Sequence, residues 1–212
     1  MRILHIIASP RAGSVSLKVG KAAVGSLLNT HPDAEVDTLD LFSETVPEFY
    51  APAAKAKYAV MAGEEPSGEA ERAWKEVIDA VDRLKAADVI VLSSAMWNFS
   101  IPYRLKQWID VVCQPGLTFS YAPEAGYEGL LAGKTLLVCL ARGGDYSPGS
   151  GHETYDHQES YLKMIFGFMG VTDVTAVVAQ PTLLGGPEVA EERTNAAVAE
   201  AERLGREIRP PA

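Results

Sequence analysis

The fold is decided by the stretch ADVIVLSSAMWNFSIP, which runs from Ala87 to Pro102. Its apolar run VIVL is typical of a central strand in a parallel sheet, because such a strand is buried on both faces. Pro102 is a favourable first residue for a helix. Between strand and helix stands MWNF (Met96–Phe99), although an ordinary turn uses Gly, Asn, Asp or Ser. Large apolar side chains on a loop indicate a surface that something covers.

Short apolar strands and helical patterns alternate along the rest of the chain. Continuous apolar runs or two-residue alternation predict five strands: Arg2–Ala8, Ala34–Leu41, Ala87–Ser94, Lys134–Ala141 and Asp173–Gln180. Apolar positions at three- and four-residue steps predict the helices: Ser14–Asn29, Glu69–Ala87, Pro102–Val112, Tyr155–Met169 and Glu188–Ile208. Residues 42–68 form a long irregular excursion, which we expect to contain some helix and to serve a function or an interface. The last residues, RPPA, are expected to form a loose tail.

Strands that alternate with helices predict a parallel sheet covered on both faces. We therefore expect residues 1–212 to form a single α/β domain, a flavodoxin-like three-layer sandwich whose five-stranded parallel sheet has the order 2-1-3-4-5. Ligands of such sheets bind beyond the carboxyl ends of the strands, where the strand order reverses. Three loops should therefore meet: ASPRAGSVS after the first strand, MWNFSIP after the third and ARGGDYS after the fourth.

Composition narrows the class of protein. The chain has 212 residues, and its 19 basic and 28 acidic side chains give a net charge of −9, which argues against binding to nucleic acid or to an anionic membrane surface. Cys113 and Cys139 are interpreted as small buried residues rather than a disulfide. No apolar run approaches the roughly 18 residues of a membrane span, and the N-terminal run is too short for a signal peptide. We expect a cytoplasmic protein without a metal site.

The first loop has the composition of an anion site. It carries hydroxyls at Ser9, Ser14 and Ser16 and a cation at Arg11, directly before a predicted helix. A helix N-terminus offers unpaired N–H groups to an anion, so the loop is interpreted as a phosphate site. Neither GxxxxGK[ST] nor GxGxxG is present. The alternative is that Ser14 merely caps the helix.

The other two loops suit a flat ring. Large side chains could flank such a ring while Asn98 bonds its polar rim; alternatively, Trp97 and Phe99 fill the gap between sheet and helix. Gly143 and Gly144 let backbone N–H groups approach a ligand closely, or they form a plain tight turn. On one sheet edge, a phosphate site, an aromatic site and a glycine donor site together fit flavin mononucleotide (FMN).

These segments resemble the FMN-dependent NADH-azoreductases, also called NADH:quinone oxidoreductases, over nearly the whole chain. The matching segments are SPRAGSVS, MWNFSIPYRLKQWIDVVCQPGLTFSY, ARGGDYS and DHQESYLKMIFGFMGVTDV. The resemblance implies one FMN per subunit, NADH as electron donor, a quinone or azo compound as acceptor, and a homodimer with each flavin near the interface. Two features depart from the family: the first loop is one residue shorter before Ser14, and Ala141 replaces a frequent Ser.

The resemblance also implies which residues contact FMN. It assigns them loop by loop: Ser9, Ser14, Val15 and Ser16 to the phosphate, Met96, Trp97, Asn98 and Phe99 to the ring, and Ala141, Arg142, Gly143 and Gly144 to the pyrimidine edge. Tyr121 matches an aromatic position near the nicotinamide and the substrate. No residue is assigned as a catalytic acid.

The implied chemistry is hydride transfer by alternation of two substrates at one site, with ping-pong kinetics. The flavin does the chemistry, and the N–H groups of Gly143 and Gly144 would stabilise the negative charge that reduction places near N1 and O2. Three alternatives remain: a flavodoxin-type electron carrier, a flavin reductase that releases its FMN, and a nucleotide-binding regulatory module. Among the histidines, we expect His5 in the core, and His157 in a structural role with Asp156.

Overall fold

The computed structural model describes residues 1–209, so residues 210–212 of the predicted tail lie outside the described part. The strands are β1 (Arg2–Ala8), β2 (Glu35–Asp40), β3 (Val89–Ala95), β4 (Phe119–Ala122), β5 (Gly126–Gly129), β6 (Thr135–Ala141) and β7 (Asp173–Ala179). The helices are α1 (Val15–Thr30), α2 (Ala51–Met61), α3 (Glu69–Lys85), α4 (Tyr103–Val112), α5 (Glu159–Phe168) and α6 (Gly186–Glu207), and Glu153–Tyr155 form a short 3-10 turn.

Five strands form one parallel sheet in the order β2-β1-β3-β6-β7. The remaining two, β4 and β5, pair only with each other as an antiparallel hairpin. With this hairpin left out of the numbering, the order is consistent with the predicted pattern 2-1-3-4-5. The direction of winding reverses between β1 and β3, so the loops that follow these two strands border the position where such sheets bind ligands.

Helices cover both faces of the sheet. Alternate side chains of each strand point to opposite faces, and the apolar ones bury against α1 and α6 on one face and against α3, α4 and α5 on the other. Trp108 of α4 and Phe166 of α5, whose ring centroids lie 6.4 Å apart, are the largest fully buried side chains of the second layer. Both layers leave the carboxyl edge of the sheet free.

His5 is a core residue, as expected. It lies on β1, is 4% exposed, and shares a hydrogen bond between its Nε2 and the Ser93 Oγ of β3 at 2.9 Å. Gly20 of α1 leaves room for this pair, because a Cβ there would lie 1.9 Å from the Ser93 Oγ. Burial, with a smaller effect of Lys21, lowers the pKa of His5 to about 4. The imidazole is therefore neutral at neutral pH.

Two local expectations were wrong. The β4–β5 hairpin was not predicted, and α5 begins at Glu159 rather than at Tyr155. Asp156 delays the helix, because its Oδ1 accepts the backbone N–H groups of Gln158 (3.0 Å) and Glu159 (3.2 Å). His157, which we expected in a structural role with Asp156, donates its backbone N–H to the Phe99 carbonyl at 3.0 Å, while the Asp156 side chain pairs with an arginine.

The cysteines are both free thiols, as predicted. Cys139 is buried in β6, and burial raises its pKa to about 12, while Cys113 is half-buried at the end of α4. Over the described part of the chain, no helix has the length and apolarity needed to cross a membrane. The same residues contain no group of three or more His, Cys, Asp or Glu arranged to hold a metal ion.

Candidate functional site

The three predicted loops leave neighbouring strands at the same edge of the sheet. In the strand register, Ala8 of β1 is opposite Ser94 of β3, and Ala95 of β3 is opposite Ala141 of β6. The backbone N–H of Met96 donates to the Ala141 carbonyl at 2.9 Å, so the second and third loops begin side by side. The parallel strands therefore bring all three loops to one place.

The N-terminus of α1 presents unused hydrogen-bond donors. Ser14 occupies the cap position, but its Oγ bonds the Ser16 Oγ at 2.9 Å instead of a helix N–H, and both side chains are buried. The helix ladder opens with the Lys18 N–H donating to the Ser14 carbonyl at 3.0 Å. The N–H groups of Val15, Ser16 and Leu17 have no acceptor within residues 1–209. Open N–H groups at the positive end of a helix suit an anion.

The remaining predicted residues of the first loop frame this helix end. Ser9 is buried where β1 ends, and Arg11 is exposed to solvent. The Arg11 carbonyl accepts the Ser14 N–H at 3.0 Å, which closes the shortened loop into a tight turn. The missing residue therefore leaves the helix start intact.

The second loop is a strained reverse turn. Trp97 and Ser100 exchange two backbone hydrogen bonds of 2.9 Å each. The central residues, Asn98 and Phe99, have φ of 47° and 69°, and within residues 1–209 they are the only residues other than glycine with positive φ. Such turns favour Asn-Gly, and a left-handed conformation costs a residue with a side chain about 1–2 kcal/mol. Strain of this kind is concentrated at functional sites.

Aromatic side chains surround this turn. The Trp97 ring lies 5.8 Å from Phe42 of the excursion and 6.1 Å from Tyr103 of α4, measured between centroids. Phe99 lies 5.2 Å from Tyr155 and is 46% exposed, so it does not fill the gap between sheet and helix. Sequence reasoning missed Phe42, Tyr103 and Tyr155. Their signal was their closeness in sequence to a predicted strand end, loop or helix start.

A cavity of about 810 Å³ opens beside these aromatic residues. Its walls include Trp97 and Asn98 of the second loop, Phe49 of the excursion, Tyr103 of α4 and Tyr161 of α5. This volume is in the range of pockets that hold cofactors and drug-sized ligands. The aromatic walls suit a flat, largely apolar molecule.

Helix α4 holds the excursion against this cavity. The Arg104 Nε donates to the Leu41 carbonyl at 2.8 Å. The Gln107 Nε2 donates to the carbonyls of Val46 and Pro47 at 3.0 Å each. The predicted excursion is thus a tethered wall of the site, and α2 forms its helical part.

The third loop presents two further donors. The Gly143 carbonyl accepts the N–H groups of Leu183 (3.1 Å) and Leu184 (3.0 Å), whereas the N–H groups of Gly143 and Gly144 donate to nothing in the described residues. A Cβ on Gly143 would lie 2.9 Å from the Leu183 Cδ1, and one on Gly144 would lie 3.1 Å from the Tyr146 hydroxyl. A side chain at either position would have to displace the end of a neighbouring side chain, and the two N–H groups remain open to an acceptor such as a ring carbonyl.

Arg142 directs its side chain into the protein. It is 2% exposed, and its guanidinium forms ion pairs with Asp156 (3.0 Å) and Glu159 (3.1 Å). It also donates to the side-chain oxygens of Gln158 and Gln180 at 3.2 Å. The guanidinium is therefore occupied by protein groups, and the open donors of this loop are those of the two glycines that follow.

Tyr121 is not brought to the three loops within one chain. It lies on the β4–β5 hairpin, is 61% exposed, and packs against Tyr127 at 4.9 Å. The hairpin sits at the far end of α5, where Phe119 packs on Phe168 at 4.7 Å. Because α5 runs back from the loop edge over 10 residues, its far end is about 15 Å away. The hairpin therefore lies towards the opposite edge of the sheet.

The donors and walls fit the parts of FMN. The N–H groups of α1 and the Ser14–Ser16 hydroxyl pair suit the phosphate, the cavity beside Trp97 suits the flat ring, and the glycine N–H pair suits ring carbonyl oxygens.

Comparisons with known proteins agree with this geometry. Residues 1–204 match a family model described as the flavodoxin-like fold. The FMN-dependent NADH:quinone oxidoreductase of Nitratidesulfovibrio vulgaris is 45% identical over 207 residues, covering 97% of this chain and 99% of that protein. The FMN-dependent NADH:quinone oxidoreductase 2 of Pseudomonas syringae pv. tomato is 40% identical over 211 residues, covering 99% and 100%.

Solved structures give the same result. An azoreductase from Bacillus anthracis strain Sterne superposes with a TM-score of 0.90 at 28% identity, covering 98% of this chain and 100% of that one. An FMN-dependent NADH-azoreductase from Bacillus anthracis Ames Ancestor, solved in complex with FMN, gives 0.84 at 28% identity, covering 96% and 99%. The resemblance predicted from the loop motifs is confirmed. The chain belongs to the flavodoxin-like family of FMN-dependent NADH:quinone oxidoreductases.

Proposed function

We propose that this chain is an enzyme that transfers hydride from NADH, through bound FMN, to quinones and azo compounds. The observation that carries the proposal is the pair of open backbone donor sets, at the start of α1 and at Gly143–Gly144, in loops that leave the same sheet edge as the aromatic loop Met96–Phe99. The names of the relatives supply the reaction class. The electron-carrier, flavin-releasing and regulatory alternatives are not favoured by these relatives.

In this proposal each loop holds one part of the cofactor. The phosphate accepts hydrogen bonds from hydroxyl and N–H groups of Ser9, Ser14, Val15 and Ser16. Arg11 adds positive charge to this loop. The ring lies against Met96, Trp97, Asn98 and Phe99. Its pyrimidine edge meets the backbone from Ala141 to Gly144, where Arg142 contributes backbone only.

Bound FMN would supply the two-electron chemistry, taking hydride from NADH and returning it to the acceptor. The protein's share is binding and orientation. The Gly143 and Gly144 N–H groups stabilise charge at the pyrimidine edge, and the cavity walls stack NADH and acceptor in turn. Overall, NADH, a proton and a quinone give NAD⁺ and a hydroquinone, while an azo bond consumes two NADH and two protons to give two amines.

We further infer a homodimer in which Tyr121 of one copy completes the site of the other. Two observations support it. Tyr121 lies far from the loops of its own chain, and large apolar side chains are exposed on α2 and at the start of α4, namely Tyr58 (67% exposed), Met61 (61%) and Tyr103 (65%). Such aromatic and methionine side chains are enriched at interfaces. Free thiols at both cysteines fit a reducing compartment, and a cytoplasmic location is part of this proposal.

Tyr121→Ala tests the shared site. We expect the KM for the quinone to rise several-fold while the Kd for FMN stays unchanged, because Tyr121 would touch the acceptor and not the cofactor. Sedimentation should show a dimer for both the parent and the variant. A monomeric parent with full activity would contradict the shared site.

Steady-state kinetics test the reaction. NADH oxidation should require a quinone under anaerobic conditions, and double-reciprocal plots at several quinone concentrations should be parallel, because both substrates use one site. An FMN-loaded protein that does not oxidise NADH would favour the electron carrier. Loss of FMN on desalting, with activity restored by added FMN, would favour the flavin reductase.

A further inference from the structure

Arg142 is a buried cation held by two carboxylates directly before the glycine donors. Its guanidinium lies 3.0 Å from an Asp156 oxygen and 3.1 Å from a Glu159 oxygen, and the arginine side chain is 2% exposed. A charge at this depth is costly to desolvate unless it is paired and hydrogen-bonded. The chain therefore maintains this cluster at a cost, next to the loop that is proposed to meet the flavin.

The cluster lies between the second and third loops. The Gln158 side chain accepts from the Arg142 Nε at 3.2 Å and donates through its Nε2 to the Ser94 carbonyl at 3.4 Å. The His157 backbone N–H donates to the Phe99 carbonyl at 3.0 Å. His157 and Gln158, which lie between the two carboxylates in sequence, thus contact the strained turn and the end of β3 respectively, while Arg142 itself precedes Gly143. The charges of the cluster therefore lie between the turn at Asn98–Phe99 and the Gly143–Gly144 donors, the two segments that would border the flavin ring.

The charges of the cluster balance. Asp156 and Glu159 contribute two negative charges, Arg142 contributes one positive charge, and Lys163 adds a second, with its Nζ 2.7 Å from a Glu159 oxygen. Lys163 is 49% exposed, so water and salt screen it, whereas the other three side chains are 2% to 23% exposed. Removing either sign alone leaves an uncompensated charge in a poorly screened place.

We propose that Arg142 is a positioning residue that orients the Gly143–Gly144 donors and, together with Asp156 and Glu159, sets the midpoint potential of the bound FMN. The inference rests on the proposed function. Two-electron reduction adds negative charge at the pyrimidine edge of the ring, so a nearby uncompensated cation raises the potential and an uncompensated carboxylate lowers it. The balanced cluster therefore holds the midpoint potential between the higher value that an uncompensated cation would give and the lower value that an uncompensated carboxylate would give.

Charge-changing variants give shifts of opposite sign. Arg142→Gln should lower the midpoint potential of bound FMN, and Glu159→Gln should raise it, both measured by equilibration with reference dyes. We expect a change of roughly tenfold in the ratio of affinities for reduced and oxidised FMN, which is about 30 mV for a two-electron couple. Asp156→Asn should also raise the midpoint potential, as Glu159→Gln does.

Arg203→Gln is the matched control. Arg203 also joins two carboxylates, Glu200 and Glu207, but on the exposed face of α6. Its variant should leave the potential unchanged. Arg142→Lys keeps the charge but loses the forked geometry, so it should bind FMN several-fold more weakly and lower the potential by less than Arg142→Gln does.

The outcomes separate this inference from the proposed function. Opposite shifts for Arg142→Gln and Glu159→Gln support the inference, and shifts in the same direction, as a merely loosened loop would give, overturn it. If Arg142→Gln does not fold, a raised potential in Glu159→Gln beside a slightly lowered one in Arg142→Lys supports it, and any other pattern overturns it. A parent protein that binds no FMN would overturn the proposed function and this inference together.

Discussion

At the residue scale, the backbone of Asn98 and Phe99 has a cost that only function explains. Glycine could occupy either position without strain, yet a large aromatic side chain stands at φ of 69°. Phe99 gains some contact energy from Tyr155, but nearly half of its surface is exposed. The unfavourable conformation and the exposed ring together support the proposal that a ligand covers Phe99.

Two variants of Phe99 measure this strain. Phe99→Gly and Phe99→Ala remove the same ring, but only Gly adopts a positive φ without a steric cost. We expect the free energy of unfolding of the Gly variant to be about 1 kcal/mol higher than that of the Ala variant. Urea unfolding in the absence of FMN measures this difference. Both should bind FMN more weakly than the parent. Equal stability of the two variants would show that the turn is unstrained.

His5 makes stability depend on pH. Its pKa is lowered from 6.5 to about 4 in the folded chain, so the unfolded chain binds a proton first as the pH falls. The contribution of His5 to the free energy of unfolding, up to about 3 kcal/mol, is therefore fully present above pH 6.5 and is lost as the pH falls from 6.5 to 4. His5→Gln should remove that part of the pH dependence in urea unfolding. The control His157→Gln should retain it; identical pH profiles for all three proteins would contradict the assignment.

At the element scale, α1 can serve as the proposed anion site because its cap serine does not cap it. The Ser14 Oγ is turned to the Ser16 Oγ, and three helix N–H groups are left open. A serine that capped the helix would occupy one of these donors. The position of α1 directly after β1 then places the open donors at the shared sheet edge.

Ser16→Ala tests this element. Loss of one hydrogen bond to a charged phosphate costs about 1.5–3 kcal/mol, so the Kd for FMN should rise roughly 10- to 100-fold in a fluorescence titration. Riboflavin lacks the phosphate and is the matched ligand control, and its Kd should be unaffected. Equal losses for FMN and riboflavin would place the effect in the ring site.

The sequence predicted those strands and helices whose buried residues form a strong apolar pattern. The five sheet strands and five of the six helices were expected, with ends displaced by a few residues, because each carries an unbroken or periodic apolar run. The hairpin was missed because its strands, Phe119–Ala122 and Gly126–Gly129, have four residues each and bury little. The start of α5 was misplaced because the apolar pattern does not reveal the turn in which the Asp156 side chain accepts the N–H groups of Gln158 and Glu159.

The site was predictable in its loops but not in its contacts. Parallel strands bring the three loops together whatever their details, so motif order sufficed to place them. The packing of Phe42 on Trp97 and the ion pairs of Arg142 join residues distant in sequence. No local sequence pattern predicts such contacts, because they depend on how the excursion and α5 pack against the sheet.

At the scale of the whole molecule, two helical layers and one parallel sheet leave a single edge where strands β1, β3 and β6 end together. That edge gathers the anion site, the aromatic cavity and the glycine donors. The net charge of −9 would repel anionic ligands at long range, so binding of FMN must depend on these local donors. The hairpin, at the other edge, acts on a site only if a second copy provides one.

The visible spectrum of the purified protein tests the central claim most directly. The protein is mixed with FMN, desalted, and recorded before and after anaerobic addition of NADH. We predict a retained flavin spectrum that NADH bleaches. Absence of retained flavin, or a retained spectrum that NADH leaves unchanged, would contradict the account.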